Sequence, residues 1–139
     1  MSETGREITE AEMQRIAQAF VGAANARDPE ALCEIFEPDG ELRPSVLVGS
    51  RSTYTGHDGL RQYFRSLRDT DAGQMVQIAE VRRIREDQFV ALVRVTLGAE
   101  VLSPAALIIT VRNGRIARAE AHLSDEPTLI AVGLIPRPR

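Results

Sequence analysis

His122 follows Glu120 by two residues and precedes Asp125 by three. A neutral imidazole held by a carboxylate can act as a general base, so these residue types suggest proton transfer. Tyr54 offers a phenol able to hydrogen-bond a ligand, and His57 sits within Gly56-His57-Asp58-Gly59. The two histidines are far apart and have no cysteine companion, so they lack local metal-ligand spacing and no metal site is expected. All 17 basic side chains are arginine. Without lysine, Schiff-base chemistry, lysine-anchored pyridoxal phosphate and a P-loop lysine are excluded, and no cofactor is expected.

The elements that must position these groups begin with helices. Thr9 and Glu12 have capping-box spacing, and Ile8 with Met13 has that of a hydrophobic staple. Met13, Ile16, Ala17, Phe20, Val21 and Ala24 repeat at helical intervals, predicting a helix over 10–26. Asp28-Pro29-Glu30 starts a second helix with buried residues Leu32, Ile35 and Phe36, ended by a turn at Pro38-Asp39-Gly40. Short strands are predicted at Glu41–Arg43 and Val46–Val48, then a loop over Gly49–Thr53. A third helix opens near Gly56, with Leu60, Tyr63, Phe64 and Leu67 as its apolar stripe, and ends in Asp69–Gly73.

From Gln74 the pattern alternates. Strands are predicted over 74–84, 88–97, 104–112 and 115–124, with Asn113-Gly114 as a two-residue hairpin turn. Alternation opposes Ala91, Val93, Val95 and Leu97 to Arg94 and Thr96, and opposes Ala117, Ala119, Ala121 and Leu123 to Arg118, Glu120 and His122. Three helices covering one sheet face give an α+β fold: a cone-shaped barrel of three N-terminal helices on a curved antiparallel sheet. The domain is expected over 9–134, with tails at 1–8 and 135–139.

Each polar candidate has a plainer structural reading. Tyr54 can pack its ring under a loop, Tyr63 lies on a core stripe, and His57 stands in helix-start chemistry. His122 and Glu120 fall outside the cone, where a surface or subunit contact accounts for them. Glu41 and Arg43 form at most a rim, Arg61, Arg65 and Arg68 follow a solvated helix face, and Cys33 reads as a small buried hydrophobe.

Length and charge narrow the function classes. The chain has 139 residues, 43% of them apolar, and a net charge of -3. That fits one soluble domain and gives no basic field for nucleic acid or an anionic membrane. No apolar run is long enough to span a bilayer, and the single cysteine suits a reducing cytoplasm.

Two helices, Asp39-Gly40-Glu41-Leu42-Arg43-Pro44, then Tyr54-Thr55-Gly56-His57-Asp58-Gly59-Leu60-Arg61 resemble the SnoaL-like branch of the nuclear transport factor 2 superfamily. Asn113-Gly114-Arg115-Ile116-Ala117-Arg118 and Leu129-Ile130-Ala131-Val132-Gly133-Leu134 are similar to many bacterial members. The resemblance spans about Thr9 to Leu134 and implies the cone fold. The superfamily includes polyketide cyclases, a steroid isomerase, dehydratases, epoxide hydrolases and binding modules. Carried over in sequence order, the isomerase's tyrosine falls on Phe20, its base on Pro44 or Arg43, and its second acid near Leu107. That proton-shuttling set is absent.

Two functions follow from these readings. One is a binding protein holding a small hydrophobic molecule in a pocket of Phe20, Tyr54, Phe64, Val95, Leu97, Leu107, Ala119, Ala121 and Leu123. The other is a SnoaL-like cyclase, isomerase, dehydratase or epoxide hydrolase acting on a small apolar or polyketide-like substrate, with Tyr54 and His122 as polar participants. Val90, Leu92 and Ile108 on the outer sheet face further predict a homodimer, and the resemblance implies the same back-to-back pairing.

Overall fold

The computed structural model describes residues 7–44, 53–70, 74–97, 100–122 and 125–137. The predicted strand at Val46–Val48, most of the loop after it, and Leu123 lie outside the described residues. Of Leu67 and Leu97 the backbone alone is described.

Helix α1 (Glu10–Ala26) opens on the predicted capping box: Thr9 Oγ1 accepts from the Glu12 amide at 3.1 Å, and the Thr9 amide donates to Glu12 Oε1 at 3.0 Å. Arg27 ends it in a left-handed conformation. Helix α2 (Pro29–Ile35) is capped by Asp28 and carries Pro29 at its start. Strand β1 (Phe36–Arg43) follows, then β2 (Tyr54–Thr55) and α3 (Gly56–Thr70). Strands β3 (Gln74–Arg85), β4 (Gln88–Leu97), β5 (Glu100–Arg112) and β6 (Arg115–His122) form a meander, and Asn113 and Gly114 both have the positive φ that the β5–β6 turn requires. A short α4 (Glu126–Ala131) closes the order.

The fold is α+β, with helices packed on one curved sheet ordered β2-β1-β6-β5-β4-β3. One pairing departs from the antiparallel expectation: β1 runs parallel to β6, so the sheet is mixed, and it does not close on itself. Parallel pairing requires a long crossover, and α3 with β3 to β5 provides it.

The β1–β6 seam is irregular. Phe36 pairs with Ile116 and Glu41 with Arg118, so five steps along β1 match two along β6. On its other side β6 pairs Ile116 with Val111 and Arg118 with Thr110, leaving Ala117 as an extra residue. The expected turn at Pro38-Asp39-Gly40 is this bulge, inside a strand that begins at Phe36 rather than at Glu41. Glycine is required at position 40: a Cβ there would lie 2.8 Å from both the Ile116 carbonyl oxygen and the Phe36 ring.

Two apolar cores lie on opposite faces of the sheet. The larger joins α1, α2 and α3 to the inner residues Phe89, Ala91, Val93, Leu107, Ile109 and Ala119. The smaller joins Val90, Leu92, Ala106 and Ile108 on the outer face to Leu129 of α4 and to Ile135. Arg82 holds this strap from β3, donating to Glu126 of α4 and to the Pro136 carbonyl at 3.3 Å. Val90, Leu92 and Ile108 are thus buried by the chain's own C-terminal segment, which removes the observation that pointed to a second copy over them. Ile8 and Ile135, assigned above to the two tails, are both buried.

Candidate ligand-binding site

The inner face of the cone is graded. At its narrow end Phe36, Phe89, Ile109 and Ile116 are fully buried. Along β4 burial is complete at Phe89 and Ala91 and falls to partial at Val95; along β6 it falls from Ile116 and Ala119 to Ala121. Helix α1 follows the same trend, from Met13 at 1% exposure to Phe20 at 8%. Leu107, beside Ala121 in the β5–β6 ladder, is also 8% exposed. The narrow end is a packed core and the wide end keeps apolar surface open.

Three aromatic rings cluster against the inner core. Tyr54 and Tyr63 stand 5.3 Å apart between ring centroids, and Tyr63 and Phe64 stand 5.6 Å apart. Tyr54 is placed by β2, where it pairs with Leu42, and both tyrosines are half-buried against the inner core. The Phe20 ring lies 6.2 Å from that of Phe36, which joins the wide end to the narrow one.

Asn25 ties α1 to the edge of the sheet. Its Nδ2 donates to the Val76 carbonyl at 2.9 Å and its Oδ1 accepts from the Val76 amide at 2.8 Å. The carboxamide therefore copies a strand neighbour along the free edge of β3 and ties the end of α1 to it. Nothing in the sequence marks this role, because an asparagine in the last turn of a helix has many uses.

The other predicted polar residues are spread over separate places. His57 lies behind α2, its Nε2 3.4 Å from the Phe36 carbonyl oxygen. Cys33 is buried nearby, its Sγ 3.8 Å from the His57 carbonyl oxygen, and burial pushes its thiol pKa up, opposite to a reactive thiolate. Arg61 does more than face solvent: it forks onto Glu30 at 2.7 and 3.1 Å and reaches Asp58 at 2.8 Å, joining α2 to α3.

His122 is on the outer face, opposite Ala106, and is buried rather than at the surface. Its Nε2 is 3.4 Å from Glu120 Oε1, and its Nδ1 is enclosed with no partner. Glu120 also lies 3.7 Å from Arg43 and 3.5 Å from Arg118. Tyr54 and His122 therefore occupy opposite faces of the sheet and do not act on one substrate atom. Arg43, one of the two positions carried over for the isomerase base, points to the same outer network. Among the described residues no three His, Cys, Asp or Glu side chains gather as metal ligands. No described helix is long and apolar enough to cross a membrane.

The family model for the SnoaL-like domain matches residues 17–119. Among solved structures, a candidate polyketide cyclase from Sinorhizobium meliloti superposes with a TM-score of 0.64 at 18% identity, covering 82% of this chain and 99% of its own. A candidate isomerase of the SnoaL-like family from Agrobacterium tumefaciens gives 0.69 at 13% identity, covering 83% and 99%. A protein of unknown function with a cystatin-like fold from Nostoc punctiforme gives 0.65 at 20% identity, covering 86% and 96%. At such identities the likeness is one of fold. No curated protein matches the chain.

Proposed function

The chain belongs to the SnoaL-like domain family, and from that premise we propose that it binds a small hydrophobic molecule at the wide end of its cone. The observation that carries this reading is the burial gradient of the inner face: the core is packed at Phe36 and Phe89 and left partly open at Val95, Ala121, Tyr54 and Tyr63. Apolar walls with two tyrosine phenols fit a neutral ligand that needs few polar anchors. Phe20, Leu107 and Ala119 form the floor of the site, with Phe64 beside the two tyrosines.

The experiment is a thermal-shift screen with neutral hydrophobic compounds against polyanions, combined with Phe20→Ala. Ligand at a hundredfold excess over its Kd should stabilise the protein by about 2.7 kcal/mol. Phe20→Ala should cost less than the roughly 3–5 kcal/mol of a fully packed phenylalanine and should weaken the same ligands. Stabilisation by polyanions alone would refute the reading.

The enzymatic alternative draws on the names of the Sinorhizobium and Agrobacterium proteins. Tyr54 is then the group touching substrate, and turnover lost in Tyr54→Phe with binding retained would establish it. Steroid isomerisation is expected to be undetectable. We place the protein in the cytoplasm, on its single cysteine, which a cell-fractionation blot checks. A homodimer through the outer face would use the charged β1–β6 side, because the apolar side is occupied by α4. Light scattering that stayed monomeric at high concentration would rule it out.

A further inference from the structure

We propose a second binding site, on the outer face of the sheet, where the paired bulges of β1 and β6 open a hollow that takes a small dipolar solute bearing both a carboxylate and an ammonium group. The hollow has a volume of about 380 Å³ and is lined by Asp39, Glu41, Thr110, Arg112, Ala117 and Arg118. A bulk water occupies about 30 Å³, so the space suits a solute of amino-acid size.

The irregular register creates it. Three strands meet where β1 runs five residues against two of β6 and where Ala117 is extra on β6. Bulges break the pleat and re-aim side chains, and here they lift Asp39 out of the ladder beside Thr110 and Arg112 of β5. Gly40 allows the close backbone approach beneath.

The charges around the hollow differ in how firmly they are held. Arg112 is fixed: its Nε donates to Glu37 Oε1 at 2.7 Å and its Nη2 to Asp39 at 3.3 Å. Arg118 is not. It stands 3.5 Å from Glu41 and 3.5 Å from Glu120, too far for good charge-assisted hydrogen bonds. Glu41 Oε1 is itself enclosed without a hydrogen-bond donor, with Arg43 at 3.6 Å as its other cationic neighbour. An arginine and a glutamate that satisfy each other poorly therefore sit side by side on the wall.

The alternation of sign selects the solute. A simple anion drawn to Arg118 meets Glu41, 3.5 Å from it, and the Asp39 carboxylate on the same lining, and a simple cation drawn to Glu41 meets Arg118 and Arg43, the latter at 3.6 Å. Like charges at that range repel strongly, whereas a solute carrying both charges matches both walls. The site is separate from the cone, since Leu42 and Ala119, partners of the same seam, face the opposite side.

The test is an NMR titration of the full chain, following the Arg118 side-chain Nε–H and the Ala117 amide. L-Glutamine is the dipolar probe; acetate and ethylammonium are its single-charge halves. L-Glutamine is expected to shift these signals to saturation, and each half at the same concentration to give under about a tenth of the change. Arg118→Gln and Glu41→Gln should each weaken binding about tenfold, or about 1.4 kcal/mol, with melting temperatures near the parent's. Should one variant fail to fold, the other decides. Acetate acting as well as L-glutamine, a titration that never saturates, or unchanged binding in Arg118→Gln would overturn the proposal. So would an Arg118→Gln variant whose mass in light scattering changed while its titration did not, which would assign the hollow to a contact between copies.

Discussion

Truncating Leu129 to alanine removes the central side chain of the strap that covers the outer face. Leu129 is 1% exposed and packs with Val90, Leu92, Ala106 and Ile108. Leu→Ala in a packed core costs about 2–5 kcal/mol, and the lower half of that range applies here because α4 is short and peripheral and its site can relax. A loss of about 3 kcal/mol in a domain of this size lowers the melting temperature by roughly 10 °C. A ceiling also applies. If the strap detaches before the rest unfolds, destabilisation stops at its own docking free energy, and further damage to it, such as Arg82→Ala, adds nothing. Urea melts of Leu129→Ala, Arg82→Ala and the double variant give the coupling directly. Hydrogen exchange at the Leu129 and Val132 amides, which bond the Asp125 and Thr128 carbonyls, reports the local opening. Val132→Ala is the control: at 63% exposure it should move stability by less than about 0.5 kcal/mol. A Leu129→Ala loss below about 1 kcal/mol would mean that the strap is not what buries Val90 and Ile108, and the reasoning would fail.

Asn25→Ala should cost about 2 kcal/mol in a chemical melt, two net hydrogen bonds to Val76, and it should weaken any ligand at the wide end; unchanged stability would show that water replaces the carboxamide at no cost. Hydrogen bonding from Arg61 lowers the Glu30 pKa below its ordinary 4.5 in the folded state. That contribution to stability is present above about pH 4.5 and is lost as pH falls through the depressed value, so Glu30→Gln should flatten the acid limb of a melting-temperature profile and leave the neutral limb shallowly lowered. A parallel downward displacement at every pH would refute the linkage.

Much of the fold is legible in the residues because local rules and burial agree there. Thr9 with Glu12, Asp28 with Pro29, and Asn113 with Gly114 each specify a cap or a turn within a few residues. Alternation in β4 to β6 sorts inner from outer faces except at Ala117, which the bulge turns from the inner set to the outer hollow. The C-terminal helix goes unpredicted although Asp125-Glu126-Pro127 offers an aspartate cap and an early proline as Asp28-Pro29-Glu30 does, and the Asp125 side chain accepts from the Thr128 amide at 3.0 Å. Its brevity hides it, because six residues carry little periodicity. What local rules do not carry is long-range register. The parallel β1–β6 pairing, the bulge at Pro38-Asp39-Gly40 and the clamp of Asn25 on Val76 each join residues some 50 to 80 positions apart. At the candidate site, alternation assigns the inner apolar residues, whereas the Asn25 clamp and the burial of His122 arise from packing between distant segments that no local pattern marks.

The parallel seam also orders events in time. Strands β3 to β6 follow one another in the chain and can pair as soon as they exist, whereas β1 must wait for β6, nearly eighty residues downstream, and α1, tied to β3 through Asn25 and Val76, must wait for β3. Non-local pairings of this kind slow folding. During synthesis the N-terminal third therefore emerges with its greasy faces uncovered and no sheet to receive them, a period in which a holdase chaperone has a ready target. Pulse-labelled refolding should protect the β4 and β5 amides before those of β1, and a chain stopped short of Arg115 should remain bound to such a chaperone because β1 has no β6 to pair with.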